Sequence, residues 1–482
     1  MTLTGRRDLS EQVYRQIREA ILDGRLRSDE ALPSTRELAR RLAVSRNTVG
    51  RAYDRLVAEG LLTSRAGAGT RVRGGVPVAE PGRKQDSGSP LRPRPVWDSL
   101  PPPFVSPAGR AAFDFRGVVP DVRDFPFDSW RSLVSRQLRA GAIGGEIHVD
   151  AAGHPGLREA LARHVGVSRA VRAEATDVFV TSGSQQAFDL VTRVLLEPGD
   201  TVAVEDPGYP PARWAFTAHG AGAVGVPVDD EGMVVDAIPA RARLVYLCPS
   251  HHYPLGVSMS LPRRLALLEW ADRVNGIIVE DDYDSEFRYG GRPVEPLHSL
   301  DPYQRVLYVG SLSKVMLPTL RLGFLIAPAP LHSALRKAKF VNDLHTELPM
   351  QAAAADFIDK GLLAQHVRRL RVIYAERCQR ITTALAGDLA DRLTLIPSAA
   401  GLHIAALLRD GTAHRAVGTM DRAGEAADVT IARRALAVGV AVDPLSRMAA
   451  TSVPRSVGFM FGYGAIPAER VYEGLRRLRA CL

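Results

Sequence analysis

A lysine amine is a nucleophile only after it loses its proton, so a Schiff-base lysine needs burial or nearby cations to lower its pKa. In this chain Gly310-Ser311-Leu312-Ser313-Lys314 follows the apolar run Val306-Leu307-Tyr308-Val309, and Arg321 stands seven residues on. Ser311 and Arg321 thus flank Lys314 with groups able to hold an anion. A second apolar run, Gly276-Ile277-Ile278-Val279, ends in Glu280-Asp281-Asp282-Tyr283-Asp284-Ser285-Glu286. An acid at such a strand end is read either as a salt-bridged or capping carboxylate or as the partner of a cofactor ring nitrogen. Five acids within seven residues would also suit a metal, but no histidine is near in sequence, so no metal is assigned. A third run, Val178-Phe179-Val180, leads into Thr181-Ser182-Gly183-Ser184-Gln185-Gln186. A glycine turn with hydroxyls that opens a helix offers free N–H groups to a phosphate. An ordinary capped loop would look the same.

These groups need a scaffold that brings strand ends together. The apolar runs at 178–180, 201–204, 244–247, 276–279 and 306–309 alternate with helical stretches such as 184–196 and 262–273. That alternation predicts a mostly parallel sheet with helices on both faces, and ligands of such sheets lie at the carboxyl ends of strands. From about residue 365 the pattern becomes a long helix, a strand near Leu402-His403-Ile404 and a terminal helix at 467–480, a small α+β subdomain.

At 482 residues the chain exceeds one hydrophobic core. Its net charge of +9 is uneven: residues 1–74 hold 15 Arg and no Lys against 9 acids. That bias favours an anionic partner for the N-terminus. The three cysteines, Cys248, Cys378 and Cys481, form no metal-spaced cluster and fit a reducing compartment. With no apolar segment long enough to span a bilayer, the expectation is a cytoplasmic protein.

The basic N-terminus has its own logic. Apolar residues at 9, 13, 17, 21 and 22 mark one helical face; Ser34 with Glu37 predicts a capping box for a second helix. Ser45 then caps a third, with Val49, Tyr53, Leu56 and Val57 expected inward and Arg46, Asn47, Thr48 and Arg51 left near its start and outer face. A recognition helix enters the major groove by its N-terminus, so those residues are where base and phosphate contacts belong. Leu61 to Val72 reads as two short strands around a glycine turn, a wing. Residues 75–110, rich in Pro, Gly and Ser, read as a linker between a head at 1–74 and a large domain at 111–482.

The words Leu32-Pro33-Ser34-Thr35-Arg36-Glu37-Leu38-Ala39, Ser45-Arg46-Asn47-Thr48-Val49 and Arg65-Ala66-Gly67-Ala68-Gly69-Thr70 resemble the GntR-type winged helix. That resemblance implies DNA contacts by Arg36, Arg46, Thr48 and the wing around Gly67, and Ser45, Asn47, Arg51 and Arg65 complete the candidate DNA-binding residues. Residues 110–482 resemble fold-type I pyridoxal-phosphate enzymes of the aspartate aminotransferase superfamily. The words are Asp206-Pro207-Gly208-Tyr209-Pro210, Pro249-Ser250-His251-His252-Tyr253-Pro254-Leu255-Gly256 and Glu280 to Tyr289. The whole chain is similar to the MocR-type regulators. The resemblance implies pyridoxal 5'-phosphate bound through Lys314 as Schiff-base lysine, Asp281 at the pyridine nitrogen, Tyr283 at the phenolic oxygen and Tyr209 against the ring. Ser184, Gln185, Ser311 and Arg321 would hold the phosphate. It also implies promoter DNA as partner and a head-to-tail homodimer with swapped heads.

Three positions depart from working aminotransferases. Tyr253-Pro254-Leu255-Gly256 stands where an Asn-Pro-x-Gly turn is usual, leaving that contact missing or passed to a neighbour such as His251. His148 stands for a common Tyr, and Met460 for an arginine that clamps carboxylates, with Arg455 the nearest basic residue upstream. Turnover of an amino acid needs its carboxylate held in register. The expected function is therefore a regulator that senses pyridoxal phosphate or an amine effector, with an active aminotransferase, or a scaffold with a vestigial cofactor, as the competing readings.

Overall fold

The computed structural model describes residues 3, 5, 8–65, 69–74, 92–102, 111–143, 150–290, 295–409, 425–451 and 453–482. The chain forms two compact units, Met1–Arg92 and Pro93–Leu482. Gly67 of the wing turn and His148 lie outside the described residues.

In the first unit, helices α1 (Leu9–Leu22), α2 (Thr35–Leu42) and α3 (Arg46–Ala58) are followed by the antiparallel wing strands β2 (Leu62–Arg65) and β3 (Gly69–Val72); β1 (Ala31–Leu32) pairs with β3. Both predicted caps form: Ser34 Oγ accepts from Glu37 N–H, and Ser45 Oγ accepts from Thr48 N–H at 3.0 Å. The Ser34 cap is not a reciprocal box, because the Glu37 carboxylate takes Arg41 instead. Val13, Ile17 and Ile21 of α1 pack in one core with Val49, Tyr53 and Leu56 of α3. Val57, expected inward, is 38% exposed; Ala52 takes its place on the buried face, one helical turn before Leu56. Tyr14 ties α1 to the end of α3, donating to Glu59 at 2.7 Å beneath the Arg55 guanidinium.

The second unit is built on an eight-stranded sheet. Its strands are β4 (Val178–Thr181), β5 (Thr201–Asp206), β6 (Gly222–Asp229), β7 (Gly232–Met233), β8 (Ala242–Leu247), β9 (Ile277–Asp282), β10 (Val306–Ser311) and β11 (Gly323–Ile326). They lie in the order β4-β11-β10-β9-β8-β5-β6-β7, with β11 antiparallel to both its neighbours and β7 antiparallel to β6. All five expected strands are present. Those not foreseen, β6, β7 and β11, are broken by glycine and proline or are only two to four residues long, too short for a periodic signal.

Helices α4 (Ser184–Leu195) and α5 (Leu261–Val274) fall within a residue or two of the expected ranges. The small subdomain holds the long helix α6 (Leu362–Ala386), the antiparallel strands β12 (Leu393–Ile396), β13 (His403–Leu408), β14 (Asp443–Pro444) and β15 (Gly458–Gly462), and the helix α7 (Val471–Arg479). Part of the stretch read as linker carries structure. Val96–Ser99 is a single helical turn, and Arg94 donates to the Ala218 carbonyl of the large unit. No helix among the described residues is long and apolar enough to cross a membrane.

Candidate cofactor pocket and nucleic-acid surface

Parallel pairing sets the chemical residues side by side. Asp281 lies opposite Val309, and Asp282 opposite Gly310, so the end of β9 meets Ser311 at the end of β10. Gly310 has no room for a side chain, since a Cβ there would stand 2.2 Å from the Phe324 ring on β11. Alternation along β9 then sends neighbouring acids to different tasks. Glu280 accepts the N–H groups of Leu297 and His298, each at 2.9 Å. Asp282 is held by Arg169 at 2.7 Å and by the Tyr308 hydroxyl at 2.6 Å. Asp281, on the opposite face, lines a cavity of about 150 Å³.

That cavity gathers Lys314, Asp281, Tyr283, Tyr209, Ser184, Ser311 and Arg321 from separate strand ends, together with Val118, Cys248, Tyr253, Ser313 and Pro318. Lys314 Nζ donates to the Val118 carbonyl at 2.6 Å. Burial lowers its pKa and Arg321 adds to that effect, against the pull of Asp284 and Asp281. Burial pushes the Asp281 carboxyl up to about 7, although Tyr246 and Lys314 oppose it. Tyr246 donates to Oδ2 of Asp281 at 2.7 Å, and Oδ1 has no partner among the described residues. Tyr209 and Tyr253 meet edge to face at 5.3 Å.

At the other end, α4 begins at Ser184 after Gly183, whose φ of +74° leaves the chain close to Arg321. A Cβ on Gly183 would stand 2.6 Å from an Arg321 guanidinium nitrogen, so glycine is what lets that cation lie over the start of the helix. Arg321 also donates to the Ser182 carbonyl at 2.9 Å.

Two residues expected in the site are turned elsewhere. Gln185 donates to the Pro211 carbonyl and does not line the cavity. His251 lies behind Tyr283, its Nδ1 3.2 Å from the phenol oxygen and 3.1 Å from both oxygens of Asp284. Met460 is fully buried on β15 opposite Ala405 and Asp443, and Arg455 is an exposed side chain 3.9 Å from Asp206.

Sequence reasoning passed over Tyr246, Cys248, Tyr253 and Val118. Cys248 directly follows a predicted strand, the same signal that marked Asp281. Val118, nearly two hundred residues from Lys314, left no such signal. The fold also brings His251 and His403 to Asp284, so histidines distant in sequence surround an acid for which none was seen nearby.

On the first unit, Arg36, Ser45, Arg46, Asn47, Arg51 and Arg65 are exposed and Thr48 is half-buried. Arg46 and Asn47 form the first turn of α3, and Arg51 follows one turn later. Arg18, Arg25, Arg41 and Arg55 are engaged by acids, whereas Arg36, Arg46, Arg51 and Arg65 have no ion pair among the described residues. Unneutralised guanidinium groups around the start of a helix make a surface suited to phosphates and base edges.

A three-helix head with a wing and a pocketed α/β unit define a DNA-binding protein class built on an enzyme fold. Residues 9–72 match the gntR family of bacterial regulatory proteins, and residues 123–449 match aminotransferase class I and II. The chain is 37% identical over 477 residues to the Probable rhizopine catabolism regulatory protein MocR of Rhizobium meliloti, covering 98% of this chain and 93% of that one. It is 32% identical over 415 residues to the pyridoxine biosynthesis transcriptional regulator PdxR of Corynebacterium glutamicum, covering 86% of each. Among solved structures, the kynurenine aminotransferase of Pyrococcus horikoshii, in complex with PMP, matches 77% of this chain and 90% of its own, with 29% identity and a TM-score of 0.68. The chain belongs to the MocR-type regulators, in which a GntR-type head is joined to an aminotransferase class I and II domain.

Proposed function

We propose that this protein is a transcriptional regulator of the cytoplasm that binds promoter DNA as a homodimer and responds to pyridoxal 5'-phosphate. The cofactor would act alone or joined to an amine. The observation that carries the reading is the donor set of the pocket. A half-buried lysine of lowered pKa, a buried carboxyl with a free oxygen and an arginine over a helix start converge on one cavity. That set matches a phosphorylated aldehyde with a basic ring nitrogen.

Bound there, the cofactor supplies an aldehyde carbon that condenses with primary amines and a ring that withdraws electrons. Lys314 offers the amine, and burial keeps more of it unprotonated. Asp281 offers Oδ1 to a ring N–H; Tyr246 holds the other oxygen in place. Tyr283 would hold the phenolic oxygen, and Tyr209 would lie against the ring. Arg321, Ser184 and Ser311 would take the phosphate, with Gln185 left to the Pro211 carbonyl.

In the head, Arg36, Ser45, Arg46, Asn47, Thr48, Arg51, Arg65 and the wing at Gly67 would contact DNA. We read residues 1–74 as that head and 75–110 as the tether, a length that would let each head of a head-to-tail dimer cross to the partner. The naming of one relative for pyridoxine biosynthesis and the buried Met460 in place of a cationic clamp support the cofactor itself as signal. An effector shifts the DNA equilibrium only through its differential affinity for two conformations.

The test is a titration of the protein's own upstream DNA with cofactor-free and cofactor-loaded protein at one salt concentration, because phosphate contacts make affinity salt-dependent. A change in affinity that Lys314→Ala abolishes is the expected result. Equal binding by both forms, with promoter output that ignores the cofactor, would overturn the proposal. Steady transamination at rates of metabolic enzymes would instead favour an aminotransferase with a DNA tether.

A further inference from the structure

Behind Tyr283, and outside the cavity lining, three buried side chains from distant parts of the chain meet. His251 lies beyond the end of β8, Asp284 beyond the end of β9, and His403 opens β13 of the small subdomain. Their ligand atoms all lie within 4.8 Å of one another, and none of the three is more than 2% exposed.

Both ring nitrogens of His251 have neighbours, Asp284 and Tyr283 at Nδ1 and Ser398 at Nε2. Ser398 Oγ is 3.2 Å from His251 Nε2 and within reach of the Ala400 carbonyl, which only accepts. With its hydrogen on that carbonyl, Ser398 accepts from Nε2–H; with its hydrogen on Nε2, His251 donates from Nδ1–H to Asp284. A neutral imidazole protonated at Nε2 presents a lone pair at Nδ1. In that tautomer Nδ1 and the two carboxylate oxygens of Asp284, 3.1 Å away, face one another as electron-pair donors that one cation can share. His403 is fully buried beside it with ring centroids 4.5 Å apart; the Pro254 carbonyl is near one ring nitrogen, and no side chain among the described residues pairs with either. Buried polar atoms without partners are costly and call for a bound species.

We propose that His251 Nδ1, the Asp284 carboxylate and a ring nitrogen of His403 hold a divalent transition-metal ion of the zinc class. Two imidazoles and one carboxylate are ligands such an ion prefers, and ligand atoms on a tetrahedral zinc stand roughly 3.3 Å apart. The His251–Asp284 spacing of 3.1 Å and the His251–Tyr283 spacing of 3.2 Å already match that edge, and they place the Tyr283 hydroxyl at the fourth position. Only His403 must move inward. Ser398 holds the far nitrogen of His251, the outer contact that orients ligating histidines. The ion would pin the small subdomain to the ends of two strands of the large sheet and fix Tyr283 from behind. The inference shares Tyr283 with the cofactor reading but reads out as bound metal rather than as DNA affinity, so the two can fail separately.

The test uses the full chain, purified without chelators or a metal-affinity tag, with elemental analysis after gel filtration and a cobalt(II) titration of chelator-treated protein. About one zinc per chain and intense visible bands of tetrahedral cobalt are expected. Both should be lost in His403→Gln and His251→Gln, with circular dichroism reporting whether each variant is folded. The wild-type cobalt spectrum decides the matter even if a variant fails to fold. Folded wild type that retains no metal and develops no such bands overturns the proposal. Metal retained undiminished by folded His403→Gln overturns it as well.

Discussion

The Tyr246 phenol donates to Oδ2 of Asp281 at 2.7 Å and leaves Oδ1 of the same buried carboxyl without a partner among the described residues. One strand of the sheet thus holds the acid of its neighbour in place while leaving it free toward the cavity. Tyr246→Phe removes this donor to that carboxyl and is expected to destabilise the cofactor-free protein by ~1–3 kcal/mol. The effect should be larger above about pH 7, where Asp281 ionises and most needs the donor. Urea unfolding across pH reads it. A loss that shrinks as pH rises would contradict this account.

Buried carboxyls also give the large unit a pH dependence with a definite sign. Burial raises Glu205 to about 8, against the Cys248 N–H that it accepts, and raises Glu280 and Asp281 to about 7. In the unfolded chain these groups titrate near 4. Carboxyls raised on folding contribute stability that is full below about pH 4 and is lost as pH rises through about 7 to 8. Cofactor-free protein should therefore lose stability between about pH 5 and 8. Glu205→Gln, which can still accept from Cys248 N–H, should flatten part of that slope. Urea midpoints for both proteins over that range are the check, and parallel slopes would refute the assignment.

The head separates engaged from unengaged arginines. Arg51→Ala is expected to weaken DNA binding across sequences and to reduce the slope of log affinity against log salt by about 1. Arg25→Ala, already paired with Asp23 at 2.8 Å, should leave the slope nearly unchanged. Fluorescence anisotropy at several salt concentrations separates the two, and equal slopes for both variants would count against the proposed surface.

Ser45 accepts from Thr48 N–H at 3.0 Å and sets where α3 begins. Ser45→Ala should cost about 1 kcal/mol of helix stability. Amide hydrogen exchange in the first turn of α3 should then quicken by about fivefold, since 1.4 kcal/mol corresponds to a factor of ten. Unchanged exchange there would show that the cap contributes little.

Local rules were enough for much of this protein. The cap at Ser45, the apolar face of α1 and the runs that became β4, β5, β8, β9 and β10 follow from periodicity and side-chain chemistry within short windows. Strand ends in turn announced Asp281, Ser184, Ser311 and Lys314, because a parallel sheet collects the residues that follow its strands. What no window of sequence contains is the partner across space. The Val118 carbonyl on Lys314, the turn of Gln185 toward Pro211, the burial of Met460 and the meeting of His251 and His403 with Asp284 join segments up to some two hundred residues apart. Periodicity tells a side chain which face to take, but the order and register of the strands decide what it meets there. The tertiary structure therefore divided the acids of β9 between capping, ion pairing and the cavity, and gathered the buried cluster behind Tyr283.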